Sequence, residues 1–241
     1  MPERHRGANP HDDRCFGEEQ LDKLKTAVDE LSWLLSRGYA MGASNDLVGD
    51  HHQLTSRQRL AIARVVCTDE QIVQRQAKRL PVSALKDQTL VIDGFNLLIT
   101  IETALGGGVI FSCADGCCRD LSGVYGSYQI VVETRLALEQ IGRTLERVSP
   151  KKVLWLFDRP VSNSGRVAKM VRDLAEEHHW PFEAELTGRT DSLLSRSSHI
   201  VITCDSAILE RAGNWCNLAC EVISQQIPEA WMVDLTAEEH L

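Results

Sequence analysis

From residue 88 onward, short runs of β-branched residues alternate with amphipathic helical stretches. This alternation is typical of a parallel sheet whose strands are joined by helices. The strands that we predict cover residues 89–93, 152–158, 182–187, 199–204 and 230–234. Helices are predicted over 127–148, 165–179, 191–196 and 206–226, the last with a break near Gly213. The sequence therefore predicts an α/β fold with a central, mostly parallel sheet of about five strands.

The chain before this segment has a purely helical pattern. In residues 18–37, apolar side chains such as Leu21, Leu24 and Leu31 recur at helical spacing. Further helices are predicted over residues 44–49, over 57–67 after a Thr55 or Ser56 cap, and over 68–80 from a Thr68 cap. We expect three parts: a flexible N-terminal arm over 1–15, a small all-helical domain over 16–82 and the α/β domain over 88–241.

Between the first strand and the first long helix of the α/β part lies the glycine-rich segment 106–126. It has neither a helical nor a strand period, and we interpret it as an irregular excursion. The pair Asp115–Gly116 is a turn signal, which indicates a hairpin there.

Composition limits the classes of protein that need to be considered. The net charge of −8 over 241 residues argues against binding nucleic acid through overall positive charge, although a local basic patch remains open. No apolar run reaches the length of a membrane span, and the polar N-terminus lacks the apolar core of a secretory signal. We therefore expect a cytoplasmic protein that has no membrane partner. Its eight cysteines are accordingly predicted to be reduced thiols.

Aspartates follow four of the five predicted strands. Asp93 interrupts the most hydrophobic segment, "TLVIDGFNLLI", and Asp158, Asp205 and Asp234 end or follow later strands. A charge buried in such a segment needs a compensating partner. Because ligands bind at the carboxyl ends of the strands in open α/β sheets, these carboxylates can meet there. Mg²⁺ or Mn²⁺ would neutralise such a cluster and prefers oxygen ligands.

Each carboxylate also has a purely structural explanation. Asp205 and Asp191 precede predicted helices and suit the N-cap position, while Asp158 can pair with Arg159 on the surface. The structural interpretation is favoured for Asp234, near the C-terminus. Asp93 has no helix-cap pattern after it, so the argument for a metal site depends mainly on Asp93 and on the set as a whole.

Several other chemistries lack their motifs. There is no G-x-x-x-x-G-K-[ST] loop, no G-x-G-x-x-G after the first strand and no G-x-S-x-G elbow. An aspartyl-phosphate mechanism would need a second Asp two residues after Asp93, where Phe95 stands. The cysteines lack the paired C-x₂-C spacing of zinc ribbons, so they indicate core thiols rather than a zinc site.

Three motifs give a resemblance to a known superfamily. "VIDGFNLL", "RTDSLL" and "HIVITCDSAIL" resemble segments of the NYN branch of the PIN/NYN metal-dependent ribonucleases. The resemblance implies a PIN-like Rossmannoid domain in which Asp93, Asp158, Asp191 and Asp205 bind metal and Asn96 matches the strand-one asparagine. The whole chain from about residue 11 also resembles an uncharacterised prokaryotic family in which a short helical domain precedes a PIN-like domain. The segments that carry this resemblance include "LSWLLSRGY" and "DRPVSNSGR".

The activity that this resemblance implies is Mg²⁺- or Mn²⁺-dependent hydrolysis of phosphodiesters, of RNA in preference to single-stranded DNA. Asp93, Asp158, Asp205 and Asn96 are the predicted catalytic residues. The alternative is a non-catalytic PIN-like module that binds nucleic acid or a protein. Arg189 favours that alternative, because the NYN pattern has an acidic residue there. A small-molecule phosphohydrolase stays open as well.

Two further segments are candidates for contacting substrate. In "RPVSNSGR", a helix N-terminus with Arg159, Ser162, Asn163, Ser164 and Arg166 could hold a phosphate, the alternative being an ordinary capped loop. Residues 51–80 carry six Lys or Arg residues against two acidic residues. This local positive charge suits binding of RNA, and it is equally typical of a solvated helix face. The side chains expected to point outward and to contact RNA are Arg57, Arg59 and Arg64.

The remaining candidates are more often structural. Tyr125 and Tyr128 could stack on bases but more often pack a helix onto the sheet, and Glu133 suits either the site or a solvated helix face. The oligomeric state is not fixed by the sequence, and a homodimer is one open option.

Overall fold

The computed structural model describes residues 4–122 and 126–236. Its N-terminal part is helical, as predicted, and packs around α2 and α4. The elements are α1 (Asp12–Phe16), α2 (Glu18–Ser36), α3 (Met41–His51), α4 (Ser56–Val65), α5 (Asp69–Lys78) and a 3₁₀ turn at Val82–Leu85. Thr55 and Thr68 each form a capping box with the glutamine three residues later, which fixes where α4 and α5 begin.

The α/β part follows with strands and helices in alternation. Its strands are β1 (Thr89–Asp93), β2 (Ile110–Ser112), β3 (Cys118–Asp120), β4 (Lys152–Asp158), β5 (Phe182–Thr187), β6 (Ile200–Ile202), β7 (Trp215–Cys216) and β8 (Met232–Asp234). Its helices are α6 (Gly94–Leu105), α7 (Glu133–Val148), α8 (Ser164–His178), α9 (Thr190–Ser195), α10 (Ser206–Arg211) and α11 (Leu218–Gln226).

The central sheet has five strands in the order β5-β4-β1-β6-β7, and every pairing in it is parallel. Strand β1 lies in the middle because its residues 90–93 are buried, as expected of a parallel strand that helices cover on both faces. The chain runs outward from β1 through β4 to β5 and then returns to β6 on the other side of β1. This confirms the predicted α/β class, and the arrangement is consistent with a PIN-like Rossmannoid fold.

The fifth central strand is not the one that the sequence predicted. β8 lies at the predicted position, but it pairs with β2 in a separate three-stranded sheet, β3-β2-β8. The central sheet is completed instead by the two-residue strand β7, inside the segment predicted as a broken helix over 206–226. Asp234 consequently ends a strand of the other sheet, where it accepts a hydrogen bond from the Thr236 amide at 2.8 Å.

Helix α6 was not predicted, and it begins directly after Asp93. The Asp93 side chain occupies the N-cap position but makes no capping hydrogen bond. Gly94 is required at the first helical position, because a Cβ there would lie 2.4 Å from Cε1 of Phe157. The strand-to-helix turn is therefore packed tightly against β4.

The predicted hairpin at Asp115–Gly116 is confirmed, since β2 and β3 pair antiparallel around it. Gly116 has a φ of 79°, in the left-handed region that favours glycine. The prediction that all eight cysteines are reduced is wrong at two positions: Cys118 of β3 and Cys220 of α11 form a disulfide, with their Cα atoms 5.5 Å apart. The fold brings the hairpin against α11, which sequence spacing does not reveal. The other six cysteines are free and buried.

A buried ion-pair network joins the helical part to the α/β part. Asp115, fully buried in the hairpin, accepts hydrogen bonds from Arg75 of α5 at 2.7 Å and from Arg119 of β3. Burial alone would raise the pKa of Asp115, but the Arg119 and Arg75 guanidinium groups lower it to about 2. Arg119 also donates to the Cys204 carbonyl at 2.8 Å, so the network reaches the end of β6.

Residues of the expected N-terminal arm contact the α/β part. Arg6 donates through Nε to Glu102 of α6 at 2.6 Å, and Glu102 is fully buried. The Tyr128 hydroxyl and the Thr134 hydroxyl also donate to Glu102. Burial raises the pKa of Glu102, and the Arg6 charge opposes that rise.

Within the described residues, no helix combines the length and the apolar character that crossing a membrane requires.

Candidate active site: an acidic cleft at the strand ends

An acidic cleft of about 280 Å³ opens at the carboxyl ends of the central strands. It lies beside β1, where the strand order reverses, which is the usual position of ligand sites in open α/β sheets. The polar lining consists of Asp93, Asn96, Asp120, Ser122, Asp158, Asp191, Asp205 and Arg64, and the apolar lining of Phe95, Ile99 and Ile208. The cleft therefore combines residues from β1, α6, β3, β4, α9, the segment after β6 and α4.

Asp93 is the most perturbed carboxyl group in the cleft. Its carboxylate accepts a hydrogen bond from the Thr203 hydroxyl at 2.8 Å. Burial raises the pKa of Asp93 to about 7, with further contributions from the charges of Asp205 and Asp158, and the Thr203 hydrogen bond only partly opposes this. Asp93 therefore changes its protonation state near neutral pH when no cation is bound.

Asp205 and Asn96 have structural tasks as well as a place in the cleft. Oδ1 of Asp205 accepts from the amides of Ala207 and Ile208 at 2.8 and 3.1 Å, so the predicted N-cap role is confirmed. Oδ1 of Asn96 accepts from the Cys204 amide at 2.8 Å, which ties α6 to the end of β6. The N-cap explanation and a role in the cleft thus coexist at Asp205, because the carboxylate has a second oxygen.

Asp158 and Asp191 complete the four carboxylates that the motifs singled out. Asp158 ends β4, and its carboxylate accepts no hydrogen bond within the described part of the chain, so the predicted pairing with Arg159 is not formed. Asp191 lies in the first turn of α9. Burial and then the charges of Asp158 and Asp205 raise the pKa of Asp191, which places the three carboxylates within electrostatic reach of one another.

Two polar residues of the cleft, Asp120 and Ser122, were assigned no role in the site from the sequence. Asp120 comes from β3 and is 3% exposed; it accepts from the Thr100 hydroxyl and from the Ser122 amide, both at 2.7 Å. The segment "CRDLSG" carries no strand-end signal of the central sheet, so only the folded hairpin reveals its position. Ser122 lies two residues further along and also lines the cleft.

Arg64 enters the cleft from the helical part of the chain. It lies in the last turn of α4 and is half-buried. Arg57 and Arg59, the other two candidates of this helix, pair instead with Asp12 and Asp50. Among the described residues, Arg64 has neither a hydrogen-bond nor an ion-pair partner. Arg64 therefore lines the acidic cleft without a partner of its own in the described part of the chain.

The predicted phosphate-binding segment does not line this cleft. Ser162 and Asn163 donate to the Tyr128 carbonyl at 3.1 and 2.7 Å, and neither caps α8 with its side chain, so the predicted capping is wrong. Ser164 donates to the Arg159 carbonyl at 3.4 Å. These side chains hold the loop at residues 126–128 against α8, a task that the sequence pattern did not indicate.

The two arginines of that segment also lie apart from the cleft. Arg159 is exposed and donates to the Leu186 carbonyl at 3.0 Å, and Arg166 is exposed and donates to Asn163 at 3.4 Å. Asn163 and Arg166 line a neighbouring depression together with Arg4 and residues 129–132.

The remaining aromatic and acidic candidates have structural roles or lie outside the residues that the structure describes. Tyr128 is 1% exposed, and its ring lies 4.9 Å from that of Phe95, so it packs rather than presenting a face to a base. Tyr125 lies outside the described residues. Glu133 is buried, contacts His5 at 2.8 Å and does not line the cleft.

The donor set of the cleft fits a hard divalent cation. Carboxylate and amide oxygens are the ligands that Mg²⁺ and Mn²⁺ prefer. No lysine, arginine or histidine among the described residues forms an ion pair with any of the five aspartates. Burial is the main cause of the raised pKa values of Asp93 and Asp191, and the charges of neighbouring carboxylates add to it, while the Arg211 charge opposes the rise at Asp191.

Fold and cleft together define the class: a Rossmannoid α/β domain with an acidic cleft at its strand ends, preceded by a helical region. The chain belongs to the family described as "Domain of unknown function (DUF5616)", whose model matches residues 82–221. Residues 23–78 match a second family model, described as "Protein of unknown function (DUF434)". The boundary between the two matches falls between α5 and the 3₁₀ turn.

A relative matches this chain over most of its length. The chain is 30% identical over 187 residues to the "Uncharacterized protein MJ0935" of Methanocaldococcus jannaschii, and the match covers 78% of this chain and 89% of the relative. No solved structure matches the chain.

Proposed function

We propose that the protein is a metal-dependent nuclease that hydrolyses phosphodiester bonds, in RNA in preference to single-stranded DNA. The observation that carries the proposal is the convergence of Asp93, Asp158, Asp191 and Asp205 on one cleft from four separate places in the chain. Asp93 is buried, Asp158 and Asp205 are half-buried and Asp191 is exposed. Burying a carboxylate such as that of Asp93 without an ion-pair partner costs stability, and such groups are retained where function requires them.

Mg²⁺ or Mn²⁺ would be held by Asp93, Asp158, Asp191 and Asp205. When bound, such an ion supplies positive charge at a phosphate and lowers the pKa of a coordinated water. Asp120 offers a fifth carboxylate at the edge of the same cleft.

The chain's own residues hold this arrangement in place. The Thr203 hydroxyl donates to the Asp93 carboxylate and accepts from the Asp205 backbone amide at 3.1 Å, so one side chain ties the Asp93 carboxylate to the backbone of Asp205. Asn96 fixes the backbone between them through the Cys204 amide. Buried hydrogen bonds of this kind orient ligands before a substrate arrives.

The presence of Arg64 in the cleft is an argument for a substrate that carries phosphate. Arginine presents planar donors that match phosphate oxygens, and this guanidinium has no internal partner within the described residues. A cleft lined both by carboxylates that can hold cations and by an arginine without a partner among the described residues suits a metal–phosphate complex. The preference for RNA rests on the motif resemblance to NYN ribonucleases.

The test is a cleavage assay with matched variants. End-labelled oligoribonucleotides and oligodeoxyribonucleotides of the same sequence are incubated with the protein in Mn²⁺ or in EDTA. We expect Mn²⁺-dependent cleavage by the wild type and by Asp234→Asn, a strand-end aspartate outside the cleft, and a loss of about 100-fold in Asp158→Asn. Equal cleavage by wild type and Asp158→Asn would point to a contaminant. Binding of the oligonucleotide without cleavage would favour the non-catalytic module instead.

A further inference from the structure

We propose a second, independent metal site in the helical region, in which Glu30, His51 and His52 bind a transition-metal ion of the Zn²⁺ type. One ligand atom from each of these three side chains lies within 4.8 Å of the other two. Nε2 of His52 is 2.7 Å from Oε2 of Glu30. The site lies between α2 and α3 and shares no residue with the acidic cleft.

The spacing is close to what a bound ion requires. Zn²⁺ binds imidazole nitrogens and carboxylate oxygens at about 2.0–2.2 Å, so ligand atoms in a tetrahedral site lie about 3.4 Å apart. Bringing three atoms from within 4.8 Å of one another to that spacing takes only small side-chain rotations. The packing of α3 against α2 holds Glu30 of α2 beside the two histidines at the end of α3.

The end of α3 explains how two consecutive histidines reach one carboxylate. His51 is the last residue of α3 and His52 is its C-cap, with its amide bonded to the Val48 carbonyl at 3.0 Å. The two rings meet edge to face, with their centroids 4.8 Å apart. The two neighbouring imidazoles therefore lie in contact at the end of α3, where His52 reaches Glu30.

The ligand chemistry selects the metal. Two imidazoles with one carboxylate suit Zn²⁺ and similar ions, whereas Mg²⁺ and Ca²⁺ prefer sites made of oxygen. On binding, neutral His52 presents the lone pair of Nε2 to the ion and carries its proton on Nδ1, and Glu30 exchanges its hydrogen bond for the metal contact.

The surroundings leave room for an exchangeable ligand. Glu30 and His51 line a cavity of about 660 Å³, together with Trp33, Leu34, Leu47 and Val48. Three protein ligands leave at least one position open on a four-coordinate ion, as in catalytic rather than structural zinc sites. The open position would face a largely apolar cavity.

The experiment is calorimetric titration of the full chain with Zn²⁺ at about pH 7 in excess Mg²⁺, which competes with Zn²⁺ for the oxygen ligands of the acidic cleft. We expect one Zn²⁺ per chain, with affinity reduced at least about tenfold in His51→Ala, in His52→Ala and in Glu30→Gln. Glu30→Gln keeps a hydrogen-bond acceptor for His52, so it separates ligand loss from unfolding. His179→Asn, from the chain's other histidine pair, is the matched control and should bind as the wild type does.

A second readout is thermal. Zn²⁺ should raise the unfolding temperature of the wild type, of Asp93→Asn and of His179→Asn, but not that of His52→Ala, since only a ligand that binds the folded state stabilises it. Failure of the wild type to bind Zn²⁺, or unchanged binding in both histidine variants, would overturn the proposal.

Discussion

Asp93→Asn is expected to stabilise the metal-free protein at alkaline pH. The substitution removes one charge and keeps the shape of the side chain, and the asparagine carbonyl can still accept the hydrogen bond from Thr203 that Asp93 accepts at 2.8 Å. A substitution that stabilises a fold while removing a function is the pattern expected of a residue kept for its chemistry.

The magnitude follows from the raised pKa of Asp93. The pKa is 3.8 in a model peptide and about 7 in the fold, chiefly because of burial. At a pH between these two pKa values, the Asp93 carboxyl group is protonated in the folded state and ionised in the unfolded chain. The free energy of unfolding therefore falls as pH rises through this range. At about 1.4 kcal/mol per pKa unit, the wild type loses up to about 4 kcal/mol between about pH 4 and pH 7.

The assay is urea denaturation in EDTA at a series of pH values, followed by tryptophan fluorescence. Asp93→Asn should exceed the wild type by up to about 4 kcal/mol at about pH 8 and match it at about pH 4. Asp22→Asn, an exposed carboxylate of α2, is the control and should leave the pH profile unchanged. Parallel profiles for the wild type and Asp93→Asn, or a less stable variant at about pH 8, would refute the reasoning.

Three further predictions concern the surroundings of the cleft. Asp115→Asn leaves Arg75 and Arg119 without a counter-charge and should cost about 3–5 kcal/mol at neutral pH in urea denaturation. The deficit should shrink as pH falls from 3.8 towards about 2, where the wild-type carboxylate is protonated too; a constant deficit would contradict the lowered pKa. Gly94→Ala should cost about 1–3 kcal/mol by overpacking against Phe157, whereas Gly42→Ala, with no atom within 4 Å of the new Cβ, should not destabilise. Arg64→Ala should raise KM for an oligonucleotide about tenfold or more while leaving Mn²⁺ affinity intact, with partial recovery in Arg64→Lys; an unchanged KM would remove Arg64 from substrate binding.

The order of helices and strands was largely predictable because it depends on local periodicity and caps. Strands β1, β4 and β5 match their predicted ranges, since β1 and β4 are runs of apolar and β-branched residues and β5 alternates apolar residues with glutamates. β7 was missed because two residues, Trp215 and Cys216, are too short a run to show a period. Helix α6 was missed because its residues are buried almost all round, which leaves no polar face to reveal a helical repeat.

The candidate site was partly predictable for the same reason. Asp93, Asp158 and Asp205 directly follow or end strands, so their meeting follows from the parallel sheet, and Asp191 was indicated by a motif. Asp120 and Arg64 reach the cleft only through the hairpin and the docking of the helical part, both long-range features. The disulfide between Cys118 and Cys220 joins residues 102 apart and depends on the packing of the hairpin against α11, which is also long-range.

Mn²⁺ binding measured by isothermal titration calorimetry tests the central claim most directly, because it needs no assumption about the substrate. We predict that the wild type and Asp234→Asn bind Mn²⁺, and that Asp93→Asn and Asp205→Asn abolish binding while circular dichroism shows the fold intact. Asparagine remains a good N-cap, so Asp205→Asn should preserve α10. A wild type that does not bind Mn²⁺, or variants at Asp93 and Asp205 that bind it unchanged, would contradict a shared carboxylate metal site.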